Sequence, residues 1–107
     1  MNDLNQLIEV HLAGAHEDAH GRSAHLLFVS GPLRQTVIAL TAGSSLDEHN
    51  SPAAGSLQVL RGHVNLTVAG GDQDLASGHI HPLPPERHGL TALEDSVVLL
   101  TAVTRTE

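Results

Sequence analysis

This chain has no cysteine, tryptophan, tyrosine or lysine, and Phe28 is its one phenylalanine. The lack of cysteine excludes disulfides, thiolate metal ligands and cysteine nucleophiles. A core must therefore be built from Leu, Val, Ile and Ala within the 40% of residues that are hydrophobic. The sequence shows neither a run of about 18 apolar residues nor a charged leader before an apolar stretch, which predicts a cytoplasmic protein with no membrane partner.

Positive charge is also scarce, since five arginines face 12 acidic residues and the net charge is −7. An acidic chain is repelled by phosphate backbones and by anionic lipid, so we expect no nucleic acid and no membrane surface as partner. The 107 residues suit one compact domain. Nine of them are histidines, and this unusual count directs attention to sites that use imidazole.

Apolar spacing predicts one short helix followed by strands. Residues 3–18 place Leu4, Leu7, Ile8 and Leu12 on one helical face, with Asn2 or Asp3 as cap and an end near Gly21. Short segments bounded by Gly, Pro and Ser predict strands at residues 24–29, 34–42, 56–61, 63–69, 73–77, 79–83, 88–93 and 96–104. The pattern indicates a helix and connection at residues 1–22 and an all-β sandwich or barrel at residues 23–107.

The stretch 97–100, Val-Val-Leu-Leu, does not alternate between apolar and polar residues. Such a run predicts a strand that is buried on both faces. The glycines at 70 and 71, followed by Asp72, predict a hairpin turn between two strands.

Two blocks of glycine, histidine and proline carry a more specific signal. In the first, Gly43 is followed after five residues by His49, then by Ser51, Gly55 and Gly62 at intervals of one, three and six residues. After a stretch of 15 residues, the second block runs from Gly78 through Pro84 to His88.

The order and spacing of these blocks resemble the two motifs of small single-domain bacterial cupins of the RmlC-like, cupin-2 type, over roughly residues 34–103. The resemblance implies a double-stranded β-helix, or jelly-roll, barrel, preceded here by a short N-terminal α-helix. It also implies a homodimer, because small cupins usually pair through strands that flank the barrel.

The resemblance is incomplete where the metal ligands would stand. The first cupin motif has a second histidine and a glutamate where this chain has Ser51 and Gly55, and the second motif is one residue shorter than usual. His49 and His88 remain. Imidazole suits Zn, Ni or Fe, but a catalytic centre needs about three protein ligands and an open position. We therefore expect His49, Ser51 and His88 to line a ligand pocket, with weak or absent metal binding at the two histidines.

Other histidines could complete a metal site. His79 and His81 lie two apart on one predicted strand and therefore share a face, and His63 follows Gly62. If His79 and His81 point into the barrel, a non-standard site with His49 and His88 would form; the simpler interpretation places all three on the surface.

Two functions follow from this pattern. The first is a cupin that binds an unknown small molecule in its barrel, with a weak or absent centre for a divalent metal such as Zn, Ni or Fe. The alternative is a metal-dependent enzyme of the dioxygenase, isomerase or lyase type, using His49 and His88 with further histidine ligands. The sequence leaves open whether the protein is an enzyme, and it identifies neither catalytic residues nor the ligand.

Overall fold

A computed structural model describes residues 2–49 and 52–104, with side chains for all of these except residues 48 and 49. One helix precedes the strands: α1 spans Leu4–Glu17. In the described part of the chain the strands are β1 Arg22–Ser30, β2 Leu33–Leu40, β3 Ser45–His49, β4 Ala54–Arg61, β5 His63–Val68, β6 Gln73–Ala76, β7 Ile80–Pro82, β8 His88–Ala92 and β9 Ser96–Val103.

The strands form two antiparallel sheets, ordered β1-β2-β9-β4-β7 and β3-β8-β5-β6. The chain crosses between the sheets repeatedly, so that β4 and β5, which are consecutive, belong to different sheets. Apolar side chains from both sheets meet in one buried cluster: Ile38, Leu40, Leu57, Val59, Val64, Leu66, Leu75, Leu90, Ala92 and Val98. This arrangement confirms the all-β jelly-roll barrel, and we call this cluster the barrel core.

A second buried layer lies on the other face of the five-stranded sheet, beneath α1. It contains Ile8, Ala15, Val37, Ala39 and Val97. We call it the helix layer. Because successive residues of a strand point to opposite faces, a strand between two apolar layers must be apolar throughout.

Strand β9 shows this pattern directly, since Val97 belongs to the helix layer and Val98 to the barrel core, and both are fully buried. The prediction that residues 97–100 are buried on both faces is therefore confirmed for the first two residues. Leu99 packs against the helix layer and Leu100 against the barrel core, so the alternation continues along the strand.

The helix follows its sequence signals. Asp3 caps it, because its side chain accepts hydrogen bonds from the backbone N–H groups of Asn5 and Gln6. The predicted apolar face packs on the sheet through Leu4, Ile8 and Leu12. The helix ends at Glu17 rather than near Gly21, with Asp18 as C-cap. Within the described residues, no helix has the length and apolar character needed to cross a bilayer.

Gly62 makes the sharp turn that carries the chain from β4 in one sheet to β5 in the other. Its φ of +94° lies in the left-handed region, and a Cβ there would collide with the side chain of Ser96 and the carbonyl of Asp95.

The first of the two glycine and histidine blocks contains a strand, β3, that the alternation of apolar and polar residues did not predict. Asp47 and Glu48 lie within β3.

Candidate functional site

His88 is the first residue of β8 and is almost fully buried, with 3% of its surface exposed. Its Nδ1 lies 3.0 Å from the carbonyl oxygen of Glu86. A carbonyl oxygen can only accept a hydrogen bond, so Nδ1 must carry the proton. In the neutral ring, Nε2 is then the nitrogen with the lone pair, which is the form that accepts a hydrogen bond or binds a metal.

The ring of His88 lines a small cavity in the barrel core. The other lining residues are apolar: Ile38, Leu46, Leu57, Leu66, Leu83, Gly89, Leu90 and Leu100. We call this space the inner pocket. Its volume of about 30 Å³ holds about two water molecules. The inner pocket therefore combines one hydrogen-bonding ring with an apolar wall.

Leu83 closes the inner pocket over Gly55. A Cβ built on Gly55 would stand 2.7 Å from Cδ1 of Leu83 and 2.5 Å from the carbonyl oxygen of Thr101. The backbone N–H of Leu83 also donates to the carbonyl of Gly55 over 2.9 Å. The absence of a side chain at position 55 thus leaves the space in which Leu83 packs.

The remaining members of the predicted pocket are only partly described. His49 ends β3, and its backbone is the cross-strand partner of His88. The side chain of His49 and the whole of Ser51 lie outside the described residues. Their part in the pocket therefore stays a prediction.

The other candidate histidines do not line the inner pocket. His79 is exposed and its Nδ1 accepts a hydrogen bond from the Ala76 N–H over 3.0 Å. His81, in β7, is half-buried, and its Nδ1 donates to the carbonyl of Pro82 over 2.6 Å. His63 is half-buried at the start of β5, where its carbonyl accepts hydrogen bonds from the Leu93 N–H and the Ser96 hydroxyl.

Comparisons with known proteins add evidence for the fold. No family model and no curated protein matches this chain, but many solved structures do. A conserved protein of unknown function from Streptococcus pyogenes is 24% identical with a TM-score of 0.75, over 84% of this chain and 80% of that one. An RmlC-like cupin from Shewanella frigidimarina is 20% identical with a TM-score of 0.72, over 83% and 81% of the two chains.

This chain has the cupin fold. The expectation drawn from the two glycine and histidine blocks is thereby confirmed at the level of the fold. A salicylate 1,2-dioxygenase from Pseudaminobacter salicylatoxidans is also similar, with a TM-score of 0.80 and 17% identity over 92% of this chain. The chain spans about a third, 33%, of that enzyme, and the likeness concerns the fold alone.

The residues described in this cupin fold do not fit a metal centre with three or more side-chain ligands. Among residues 2–47 and 52–104, whose side chains are described, no group of three histidines, aspartates and glutamates lies close enough to hold a metal. His88 is the one histidine of that set in the inner pocket. At position 55, where the first cupin motif has its glutamate, Leu83 takes the neighbouring space.

The clearest electrostatic features lie away from the inner pocket, around α1. The rings of His11 and His25 are stacked with centroids 5.4 Å apart, and His11 Nδ1 lies 2.7 Å from the Ser23 hydroxyl. Partial burial, and to a smaller degree the charge of His25, lower the pKa of His11 below its ordinary value. The backbone N–H of Ala42, helped by the His16 ring, lowers the pKa of Asp95.

Sequence reasoning missed two contributors to the site. The carbonyl oxygen of Glu86 keeps the proton of His88 on Nδ1. Every residue has a main-chain carbonyl, so the sequence does not indicate which one accepts this hydrogen bond. Leu83 closes the pocket, and its place in one alternating row with His79 and His81 was visible. The pairing of Leu83 with Gly55 depends on the spacing of β4 and β7 in three dimensions, which one sequence does not give.

Proposed function

We propose that this protein binds a small, largely apolar molecule with one hydrogen-bonding group in the barrel, next to His88, and that its metal centre is weak or absent. The observation that carries the proposal is the burial of His88 in a cavity whose other described lining residues are Leu, Ile and Gly. A cavity that combines a buried imidazole with an apolar wall favours a small molecule that has one polar group and covers the apolar surface.

The size of the inner pocket requires movement for any ligand larger than a few atoms. Leu83 is the natural part to move, because it is half-buried at the pocket wall and lies in the connection between β7 and β8. The proposal therefore gives Leu83 the role of setting the ligand size, and His88 the role of recognising the polar group.

Phenol and toluene form a matched pair of probes, because they differ by a hydroxyl in place of a methyl group. Both should be titrated into the wild type and the Leu83→Ala variant, with the amide NMR signals of Gly89 and Leu90 as reporters. We expect both probes to bind the variant more tightly. Phenol should be preferred by about fivefold, as one hydrogen bond provides.

A His88→Leu substitution in the Leu83→Ala background should abolish the preference for phenol while binding of toluene remains. Equal binding of phenol and toluene before this substitution would overturn the role of His88. Binding that is indifferent to Leu83 would overturn the location.

The alternative function, a metal-dependent enzyme that uses His49 and His88 with further histidines, requires a stoichiometric divalent metal. The exposed position of His79 and the place of His81 outside the inner pocket argue against it. A metal titration separates the two functions.

We also propose that the protein is a homodimer that pairs through β1. This strand is nine residues long and stands at the edge of its sheet, with Leu26, Phe28 and Val29 each about half exposed. An antiparallel edge can pair with its own copy across a two-fold axis, which covers both the backbone groups and these side chains. Light scattering at micromolar concentration should give the mass of a dimer for the wild type. A double variant, Phe28→Lys with Val29→Lys, should give the mass of a monomer. A wild type with the mass of a monomer would contradict the proposal.

A further inference from the structure

A second cavity lies outside the barrel core, between the β5–β6 turn and the connection from β7 to β8. Its volume is about 240 Å³, and its lining residues are Val68, Gly70, Gly71, Gln73, His81, Pro84 and Glu86. We call it the outer groove. It shares no lining residue with the inner pocket. The connection between β7 and β8 contributes Leu83 to the inner pocket, and it contributes Pro84 and Glu86 to the outer groove.

His81 is one of the residues that line this groove. Its Nδ1 donates to the carbonyl of Pro82 over 2.6 Å, so that in the neutral ring Nε2 carries the lone pair. The hydrogen bond also restricts the rotation of the ring, because it ties the side chain to the backbone of the next residue. The lone pair is thus held in a defined position on a half-buried side chain.

The other ionisable group in the outer groove is also an acceptor. Glu86 is exposed and contributes a carboxylate, which accepts hydrogen bonds and carries negative charge. No arginine is among the residues that line the groove in the described part of the chain. Val68 and Pro84 contribute apolar surface to the groove.

We propose that the outer groove binds a small organic cation, a primary ammonium group on a short carbon chain. The ammonium group donates three hydrogen bonds and matches the acceptors of Glu86 and His81, while the carbon chain covers Val68 and Pro84. The volume fits a small organic molecule rather than a bare metal ion. The net charge of −7 raises the local concentration of cations around the protein.

The probe is n-butylammonium, and 1-butanol is its matched neutral control with the same carbon chain. Amide NMR signals of Val68, Gly70, Gly71 and Gln73 report on the groove. We expect n-butylammonium to shift these signals in a saturable way and 1-butanol to bind at least about fivefold more weakly, in keeping with the modest strength of ion pairs at exposed carboxylates.

Two variants at equal net charge test the role of Glu86. Glu86→Gln should weaken n-butylammonium binding about fivefold, whereas Glu17→Gln, which removes an exposed carboxylate at the end of α1, should leave it unchanged. His81→Leu should weaken binding as well, with the amide spectrum away from the groove showing that the fold is kept.

Three results would overturn the proposal: equal binding of the neutral control, equal weakening by the two glutamate variants, or shifts that map outside the outer groove. None of these three results depends on whether a ligand binds in the inner pocket. The preference for phenol at His88 can be observed even if the outer groove does not bind n-butylammonium. Likewise, the outer groove can bind n-butylammonium even if the inner pocket shows no preference for phenol.

Discussion

The barrel core and the helix layer lie on opposite faces of the same sheet, and they differ in where polar groups meet apolar ones. In the barrel core, the buried His88 stands among apolar side chains beside a cavity. In the helix layer the buried residues are Ile, Val and Ala, and the polar contacts lie around the rim. These include Glu9 with Arg61 at 2.7 Å and His16 with Asp95 at 2.7 Å.

The difference separates a layer suited to recognition from a layer suited to stability. A polar side chain beside an apolar cavity can recognise a polar atom of a bound molecule while the apolar wall covers the rest of it. A fully apolar layer with a charged rim has no such group, and it serves to fasten α1 to the sheet.

The largest effect is expected from a charge placed in either layer at neighbouring positions of β9. Val98→Asp puts a carboxylate into the closed barrel core, and we expect no folded protein. Val97→Asp puts it beneath α1, where the helix can move away and admit water. Hydrogen exchange should then show an unprotected helix above a protected barrel. Loss of the whole fold in both variants would show that the two layers are not separable.

A smaller effect is expected at Gly55, where the backbone of β4 lies close to Leu83. Gly55→Ala should lower the free energy of unfolding by about 1–3 kcal/mol, as overpacking does, because the new Cβ would meet Leu83 Cδ1 and the Thr101 carbonyl. In the Leu83→Ala background the cost of Gly55→Ala should fall, since one of the two contacts is removed. A denaturant double-mutant cycle measures this coupling, and additivity would contradict the packing of Leu83 over Gly55.

The helix layer should respond to pH through His11. Its pKa is lower in the folded chain than the ordinary 6.5, so the unfolded chain binds more protons in this range and stability falls as pH drops below about 6.5. The melting temperature should therefore decrease from pH 7.5 to 5.5. His11→Gln should flatten that decrease, while His20→Gln, at an exposed position, should keep it. An unchanged profile in His11→Gln would contradict this account.

Asp95 titrates in a separate window. The Ala42 N–H and the His16 ring lower its pKa, so its contribution is present above about pH 4 and is lost only as the carboxylate is protonated below that. Asp95 therefore contributes nothing to the decrease between pH 7.5 and 5.5.

The smallest effect is expected at the rim of the helix layer. Arg61 and Glu9 form an ion pair between side chains that are 48% and 68% exposed, and such pairs contribute about 0–1 kcal/mol. Arg61→Gln should change the free energy of unfolding by no more than that amount at low salt. A larger loss would mean that the rim, rather than the apolar layer, fastens the helix.

The fold could be predicted from the sequence because its signals are local. Glycine at 62 marks a turn that only glycine allows, and the unbroken run at 97–100 marks a strand between two apolar layers. The spacing of the two motifs then indicated the cupin fold.

The site could be predicted only in part. His88 lines the inner pocket, whereas a ligand pocket formed by His49, Ser51 and His88 stays a prediction. The packing of Leu83 over Gly55 joins residues from β4 and the β7–β8 connection. The outer groove joins the β5–β6 turn to β7 and the β7–β8 connection. Periodicity gives the face of a strand but not the distance between two such segments.

We propose that the barrel holds a pocket around His88 and no tight metal centre. Calorimetric titration of chelator-stripped protein with Zn, Ni and Fe, together with elemental analysis of the protein as purified, tests it most directly. We expect substoichiometric metal after purification and no binding tighter than about micromolar, since one or two imidazoles fall short of the three ligands of a catalytic site. A one-to-one site of higher affinity that is lost in both His49→Ala and His88→Ala would contradict the claim.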